Sequence, residues 1–151
     1  MFVSFITLQT KGTTVSTNTV HVEWKHDLVF DAHQQDQVYT LVSSTQNGDL
    51  PGISPKQMLL SALAGCTAMD LASLLPKMRV PFASLVVRVT GELTEDHPKI
   101  YKTIHVVYEV ASPEENREAI VRAVELSTTK YCGVSAMLAK ASEITHEIVL
   151  L

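Results

Sequence analysis

The sequence predicts a single α+β domain, and three observations lead to this fold class. The first third of the chain contains runs of alternating polar and apolar residues rich in Val, Thr and Phe, which are typical of strands. A long apolar stretch then begins at Ser54 and Pro55, a serine and a proline placed as at a helix start. Beyond it we expect a strand hairpin, two helices and a further strand. This separation of strands and helices defines the α+β class.

The N-terminal third is predicted to consist of four strands. Residues 2–9 and 13–24 are separated by Lys11 and Gly12, which suit a turn between paired strands. Residues 28–32 and 38–43 form two shorter β segments around a polar loop, and QNGDLPG at 46–52 breaks the pattern before the first helix. We therefore interpret residues 1–19 as an N-terminal strand extension of one domain that spans residues 1–151.

The first helix is predicted to run from residue 55 until Pro76 and Pro81 close it. Apolar or small residues cover more than one side of it, so we expect an enclosed helix; they are Met58, Leu59, Ala62, Leu63, Met69, Leu71 and Leu74. Cys66 lies about three turns into this helix. A cysteine in such a place either packs the core or is a thiol kept dry for chemistry.

The second half is predicted to alternate strands and helices. Residues 85–90 and 100–110 alternate in polarity around the loop TEDHPK, which indicates a hairpin within a β-meander. Ser112 followed by Pro113 and two glutamates has the capping-box pattern of a second helix. A third helix is expected over residues 131–141 and a strand over 144–150. Cys132 falls in the first turn of that third helix, where the helix dipole lowers a thiol pKa unless burial outweighs it.

Composition excludes several classes of function. The 151 residues are 46% hydrophobic and 19% charged with a net charge of −4, so nucleic acid is not an expected partner. The N-terminus lacks the basic segment of a signal peptide, and the longest uncharged run, residues 57–69, is too short to cross a bilayer. We expect a cytoplasmic protein with no membrane partner. The six histidines lack metal-binding spacing and two cysteines cannot complete a zinc site, so no metal or other cofactor is expected.

Two segments resemble the OsmC/Ohr family, in particular its OsmC-like branch. They are SPKQMLLSALAGCTAMDL at residues 54–71 and LSTTKYCGVSAMLAKASEITHEI at residues 126–148. The resemblance extends from about residue 20 onward. It implies a two-layer α+β fold with a long central helix, two further helices and antiparallel sheets, in which two chains intertwine as a homodimer.

The resemblance also implies a chemistry for the two cysteines. In that family the first cysteine attacks an organic hydroperoxide and becomes a sulfenic acid, and the second closes a disulfide that a dithiol reduces. Cys66 would be the peroxidatic and Cys132 the resolving cysteine of a thiol-dependent peroxidase in oxidative-stress defence, with a lipoyl-type or similar dithiol as reductant. We expect the two cysteines to be near neighbours in the fold.

An apolar cavity beside the thiol would favour organic hydroperoxides, because each buried methylene contributes about 0.8 kcal/mol. Met58, Leu59 and Leu63 are candidate lining residues, although ordinary core packing also explains them. Tyr131 stands beside Cys132 and is a candidate hydrogen-bond donor in the cavity.

The sequence differs from the family at two positions whose side chains support the reactive thiolate in members with peroxidase activity. Peroxidase members have a glutamate directly after the helix-opening proline and an arginine upstream. Here Lys56 occupies the glutamate position, Gln46 stands about where the arginine would be, and no arginine precedes Arg79. Lys56 and Gln46 are therefore candidates for supporting the thiolate, unless Lys56 points into water. Asp70 follows Cys66 by one helical turn and would oppose thiolate formation, so we expect it to face solvent or a neighbouring chain.

Two hypotheses follow from these observations. The cysteine pair favours a peroxidase that acts on organic hydroperoxides. The absent glutamate and arginine favour a non-catalytic small-ligand-binding or redox-sensing protein that has lost efficient peroxidase activity.

Overall fold

The computed structural model describes residues 16–43 and 52–151, and the chain divides into two compact units after Gly52. The first unit contains an antiparallel sheet of β1 (His21–His26), β2 (Val29–Gln34) and β3 (Gln37–Val42), in that order. Asp27 and Gln35 take left-handed φ values of 44° and 53° at the two turns, as tight hairpins require. The strands predicted over 28–32 and 38–43 are confirmed. The strand predicted over 2–9 lies outside the described residues, and that over 13–24 corresponds to β1 within them.

The second unit contains one helix on each side of a hairpin, a third short helix and a strand. In chain order these are α1 (Pro55–Lys77), β4 (Ser84–Leu93), β5 (Tyr101–Ala111), α2 (Arg117–Leu126), α3 (Gly133–Leu138) and β6 (Glu143–Leu150). The predicted α+β class is confirmed. The assignment of residues 1–151 to a single domain stays a prediction.

The sheet of the second unit has the order β4-β5-β6, with β4 antiparallel and β6 parallel to β5. The expectation of a β-meander and of purely antiparallel sheets is therefore wrong at β6. The physical reason is the connection: α2 and α3 lie between β5 and β6, and a crossover of that length lets the chain return to the start of β5.

The core of the second unit lies between α1 and this sheet. One stripe of α1 is buried at every fourth position, and alternate residues of β5 face it; these are Leu63, Thr67, Leu71 and Leu75 on α1, and Ile104, Val106, Tyr108 and Val110 on β5. The other side of α1 is not enclosed by the second unit, so this unit alone does not meet the expectation of an enclosed helix. Leu59 is 46% exposed and Met69 is 75% exposed.

By length and composition alone, α1 is the one helix of the described segments that is apolar enough to cross a membrane. The uncharged run considered above was shorter because it stopped at Asp70, whereas the helix continues to Lys77. The indication is weak, since the core helix of a globular protein meets the same test. The stripe from Leu63 to Leu75 lies in the core of the chain itself.

Both ends of α1 differ in detail from the sequence prediction. Pro55 holds the first helical position, but the Ser54 side chain makes no capping hydrogen bond. Pro76 does not close the helix, which continues to Lys77. It ends in a Schellman-type turn, in which Arg79 takes a φ of 61° and its N–H donates to the Pro76 carbonyl at 3.0 Å.

The helices after β5 also begin later than predicted. Glu114–Asn116 form a 3₁₀ turn, and α2 starts at Arg117. The Ser112 hydroxyl does not cap a helix, because it donates to the Pro81 carbonyl at 2.7 Å. The helix predicted over 131–141 is instead a π-helical turn, Ser127–Tyr131, followed by the short α3.

Candidate active site

Two cysteines and an aspartate meet where α1 faces the segment between α2 and α3. The Sγ atoms of Cys66 and Cys132 and a carboxylate oxygen of Asp70 all lie within 4.8 Å of one another. Cys66 is partly buried and Cys132 is buried, and both are free thiols. The structure thus brings together two cysteines that are 132 − 66 = 66 positions apart in the sequence.

A carboxylate oxygen of Asp70 lies beside the thiols, so the expectation that this residue keeps apart from Cys66 is wrong. Its Oδ2 accepts a hydrogen bond of 2.8 Å from the Ser127 hydroxyl. The reason is the helical period: Cys66 and Asp70 are one turn apart and share a side of α1, and Ser127 at the end of α2 meets that side. An acid therefore belongs to the site.

The π-helical turn positions Cys132. Its N–H donates to the Ser127 carbonyl at 2.8 Å, five residues back, which widens the chain before α3 begins. Cys132 is consequently the N-cap residue of α3 and does not lie in its first turn as predicted. Its Sγ accepts a hydrogen bond of 3.3 Å from the Ser135 N–H. Single π turns occur frequently at functional sites.

Burial decides the protonation of Cys132, a point that the sequence left open. Burial first, and then the neighbouring Cys66 thiol, raise the pKa of the Cys132 thiol to about 11, although the Ser135 N–H lowers it. Desolvation therefore has a larger effect on the pKa of Cys132 than its position at the N-terminal end of α3. At neutral pH Cys132 carries its proton.

A buried phenol borders the site from β5. The Tyr108 side chain is fully buried, and its hydroxyl has no hydrogen-bond partner among the described residues. Burial raises its pKa to about 12, while the Thr67 side chain lowers it and the charges of Cys132 and Asp70 raise it. The Thr67 hydroxyl donates to the Leu63 carbonyl at 3.0 Å, and its approach to Tyr108 does not reach hydrogen-bond geometry. Tyr108 is thus a neutral, unsatisfied donor beside the thiols.

A cavity of about 190 Å³ reaches the site at Asp70. Its lining residues are Asp70, Ser73, Leu74, Lys77 and Tyr131. Tyr131 is 48% exposed and lies on this cavity. The cavity gives solvent and small molecules a route to the carboxylate.

The other residues singled out in the sequence lie elsewhere. Lys56 is exposed in the first turn of α1, about 15 Å along the helix axis from Cys66, so it does not reach the thiol of its own chain. Gln46 lies outside the described residues. Leu63 is in the core, Met58 is partly buried and Leu59 is exposed, and none of these three lines the cavity at Asp70.

Sequence reasoning missed Tyr108 as a site residue and Ser127 as the partner of Asp70. The alternation of β5 predicts that Tyr108 faces inward. No sequence signal indicates which part of α1 it meets.

The cluster of two sulfurs and one oxygen also has the spacing of metal ligands. These three atoms leave a zinc ion one ligand short of the usual four, and no histidine joins them within the described residues. That the protein works without a metal stays a prediction.

The fold and the site together define an α+β protein in which a pair of thiols lies between a long core helix and the segment that follows α2. The family described as OsmC-like protein matches residues 46–147 of the chain. The chain belongs to this family.

Three proteins are similar to this chain in sequence or in fold. Protein YhfA of Escherichia coli (strain K12) is 34% identical over 125 residues, which cover 83% of this chain and 92% of YhfA. A hypothetical protein from Aquifex aeolicus VF5 has a TM-score of 0.80 at 25% identity and covers 91% of this chain and 98% of its own. An organic hydroperoxide resistance protein OsmC from Legionella pneumophila has a TM-score of 0.67 at 12% identity, with coverage of 91% and 99%, and shows the fold alone.

Proposed function

We propose that the protein is a thiol-dependent peroxidase that reduces organic hydroperoxides in oxidative-stress defence. The observation that carries the proposal is the pair of free thiols within 4.8 Å of each other on two different elements. A sulfenic acid on one sulfur would have the other thiol beside it, which is the arrangement that turns an oxidised cysteine into a disulfide. The likeness in fold to a protein described as an organic hydroperoxide resistance protein supports the same reaction.

The different burial of the two sulfurs supports the roles proposed for them. Cys66 is the more exposed, so its thiolate attacks the terminal oxygen of the hydroperoxide. The O–O bond breaks, the alcohol leaves with one proton, and Cys66 becomes a sulfenic acid. Cys132 then attacks the Cys66 sulfur, the disulfide forms and water leaves. An external dithiol of the lipoyl type supplies two hydrogens and restores both thiols.

The uncovered side of α1 supports a homodimer. Leu59 and Met69 are exposed on the described chain, and a second copy would bury such an apolar face. Met58 and Leu59 would then lie near a boundary between chains, where an apolar substrate tail can bind. Lys56 would support a thiolate only from a second copy, because it is too far from Cys66 along its own helix. We assign this dimer to the cytoplasm, with no nucleic acid or membrane partner.

A binding or redox-sensing role is the second candidate. It is favoured by the exposed position of Lys56, which does not reach the thiol of its own chain, and by the acidic side chain that Asp70 places beside the thiols. A protein of this kind would keep the fold and the thiols without rapid turnover.

The deciding experiment mixes the reduced protein with one equivalent of cumene hydroperoxide and counts free thiols over time. A peroxidase loses both thiols within seconds and turns over with dihydrolipoamide. In Cys132→Ser the sulfenic acid accumulates and is trapped by dimedone, whereas Cys66→Ser does not react. Loss of thiols over hours would favour the sensing role.

A further inference from the structure

We propose that Asp70 is the proton-transfer residue of the disulfide-forming step, an inference that rests on the proposed function of the thiol pair. Its carboxylate takes the proton of the Cys132 thiol as that sulfur attacks the Cys66 sulfenic acid. It then gives this proton to the departing hydroxyl group. One S–S bond forms, one S–O bond breaks and one water leaves, so the step needs no other reactant.

The need for such a residue follows from the surroundings of Cys132. Thiolate is the nucleophile, yet a buried thiol with a pKa of about 11 is ionised in only about one molecule in 10⁴ at pH 7. The titratable groups that face it are Cys66 and Asp70 on α1 and Tyr108 on β5. None of these groups supplies a positive charge. Among the described residues, the Ser135 N–H donates a hydrogen bond to its sulfur and favours the thiolate, and the Val134 backbone acts in the same direction.

Asp70 has the geometry of a proton acceptor. The Ser127 hydroxyl donates to its Oδ2 at 2.8 Å and fixes the carboxylate in the site, which leaves further lone pairs for a second donor. A carboxylate oxygen lies within 4.8 Å of both sulfurs. The same carboxylate can therefore take the proton of the attacking Cys132 thiol and give it to the hydroxyl group that leaves the Cys66 sulfur. A separation of this size is spanned by one water molecule. The cavity that Asp70 shares with Lys77 and Tyr131 gives water access to the carboxylate.

The proposal has a kinetic signature. Asp70 is assigned to the second step alone, so its replacement by asparagine should leave the first step unchanged and slow only the second.

The test uses Asp70→Asn and follows the second step without peroxide. Excess 5,5′-dithiobis(2-nitrobenzoate) converts Cys66 to a mixed disulfide with release of one thionitrobenzoate, and attack by Cys132 then releases another. We expect Asp70→Asn to slow this second release by about 100-fold at neutral pH, a typical size for loss of a general base. The rate should recover about tenfold per pH unit as Cys132 ionises unaided. The wild-type rate should change little over the same range.

Matched variants separate proton transfer from structure. Glu118→Gln makes the same acid-to-amide change on the exposed side of α2 and should leave both releases unchanged. An unaltered first release in Asp70→Asn shows that the fold is intact. Asp70→Glu should restore part of the lost rate.

Three results would overturn the proposal. They are a second release in Asp70→Asn as fast as in the wild type, a slow release that does not recover at high pH, and no second release from the wild type. If the second release behaves as expected but cumene hydroperoxide leaves Cys66 unoxidised, the peroxidase function fails while the role of Asp70 in thiol exchange stands.

Discussion

Cys66 and Cys132 share one site but occupy opposite kinds of structure. Cys66 sits in the middle of a regular helix of 23 residues, is partly buried and has solvent access beside it. Cys132 sits after an irregular π-helical turn, is buried and is held by the hydrogen bond from the Ser135 N–H. The contrast matches the proposed roles of the two cysteines. A regular helix would hold the sulfur that meets the substrate, and the widened turn would hold the sulfur that closes the disulfide.

The largest expected effect is on peroxide consumption, when each cysteine in turn is replaced by serine. Cys66→Ser should lower peroxide consumption on the order of 10⁴-fold or more, as expected when a nucleophile is removed. Cys132→Ser should keep its first oxidation near the wild-type rate and then stop. Stopped-flow thiol counting distinguishes the two. Equal losses in both variants would break the contrast.

The next effect is on stability at high pH. In the unfolded chain a cysteine ionises near its ordinary pKa of 9.0, whereas the folded Cys132 keeps its proton until about pH 11. The unfolded state therefore releases protons first, and the free energy of unfolding falls by up to about 1.4 kcal/mol per pH unit between these values. Tyr108 extends the loss toward pH 12. Urea titrations at several pH values should show a shallower loss from pH 9 to 11 in Cys132→Ser than in the wild type.

A smaller effect is expected at the Tyr108 phenol, which lies near Cys132. Tyr108→Phe removes a buried hydroxyl that has no hydrogen-bond partner in the described part of the chain. The variant should therefore unfold at higher urea concentration, with a gain of about 1 kcal/mol. Tyr108→Leu is the control, since it also removes ring packing and should destabilise. A destabilised Tyr108→Phe would mean that the hydroxyl binds a partner in solution.

The smallest effect is expected at Lys56. In a Cys132→Ser background, Lys56→Met should leave the pH dependence of Cys66 alkylation unchanged, because the lysine is exposed and about 15 Å away along α1. Lys77→Met, which alters the cavity at Asp70, is the comparison variant. A clear change with Lys56→Met would show that Lys56 of a second copy reaches the thiol.

The sequence predicted the features that depend on local pattern. Proline at the start of α1 and the alternation of β4 and β5 lead to these elements, and the resemblance of two segments pairs Cys66 with Cys132. The predictions that were wrong concern features that depend on contacts between residues far apart in the sequence. Asp70 turns inward because Ser127, 57 positions later, meets it there, and β6 runs parallel because of what lies between it and β5.

Two further features had no sequence signal of their own. The π-helical turn in STTKY contains no proline, glycine or cap that would mark it. Tyr108 reads as an ordinary inward residue of a strand, and its neighbours on α1 depend on how the helix sits across the sheet. Packing of this kind is decided by tertiary contacts and not by the period of one segment.

The parallel pairing of β6 with β5 has a consequence for the order of events during synthesis on the ribosome. Residues 143–150 must emerge before the sheet is complete, and the π-helical turn with Cys132 lies just ahead of them. A nascent chain therefore exposes Cys66 well before its partner thiol is translated. During that interval a sulfenic acid formed on Cys66 has no partner thiol in the chain with which to close a disulfide, so further oxidation to sulfinic acid is open to it.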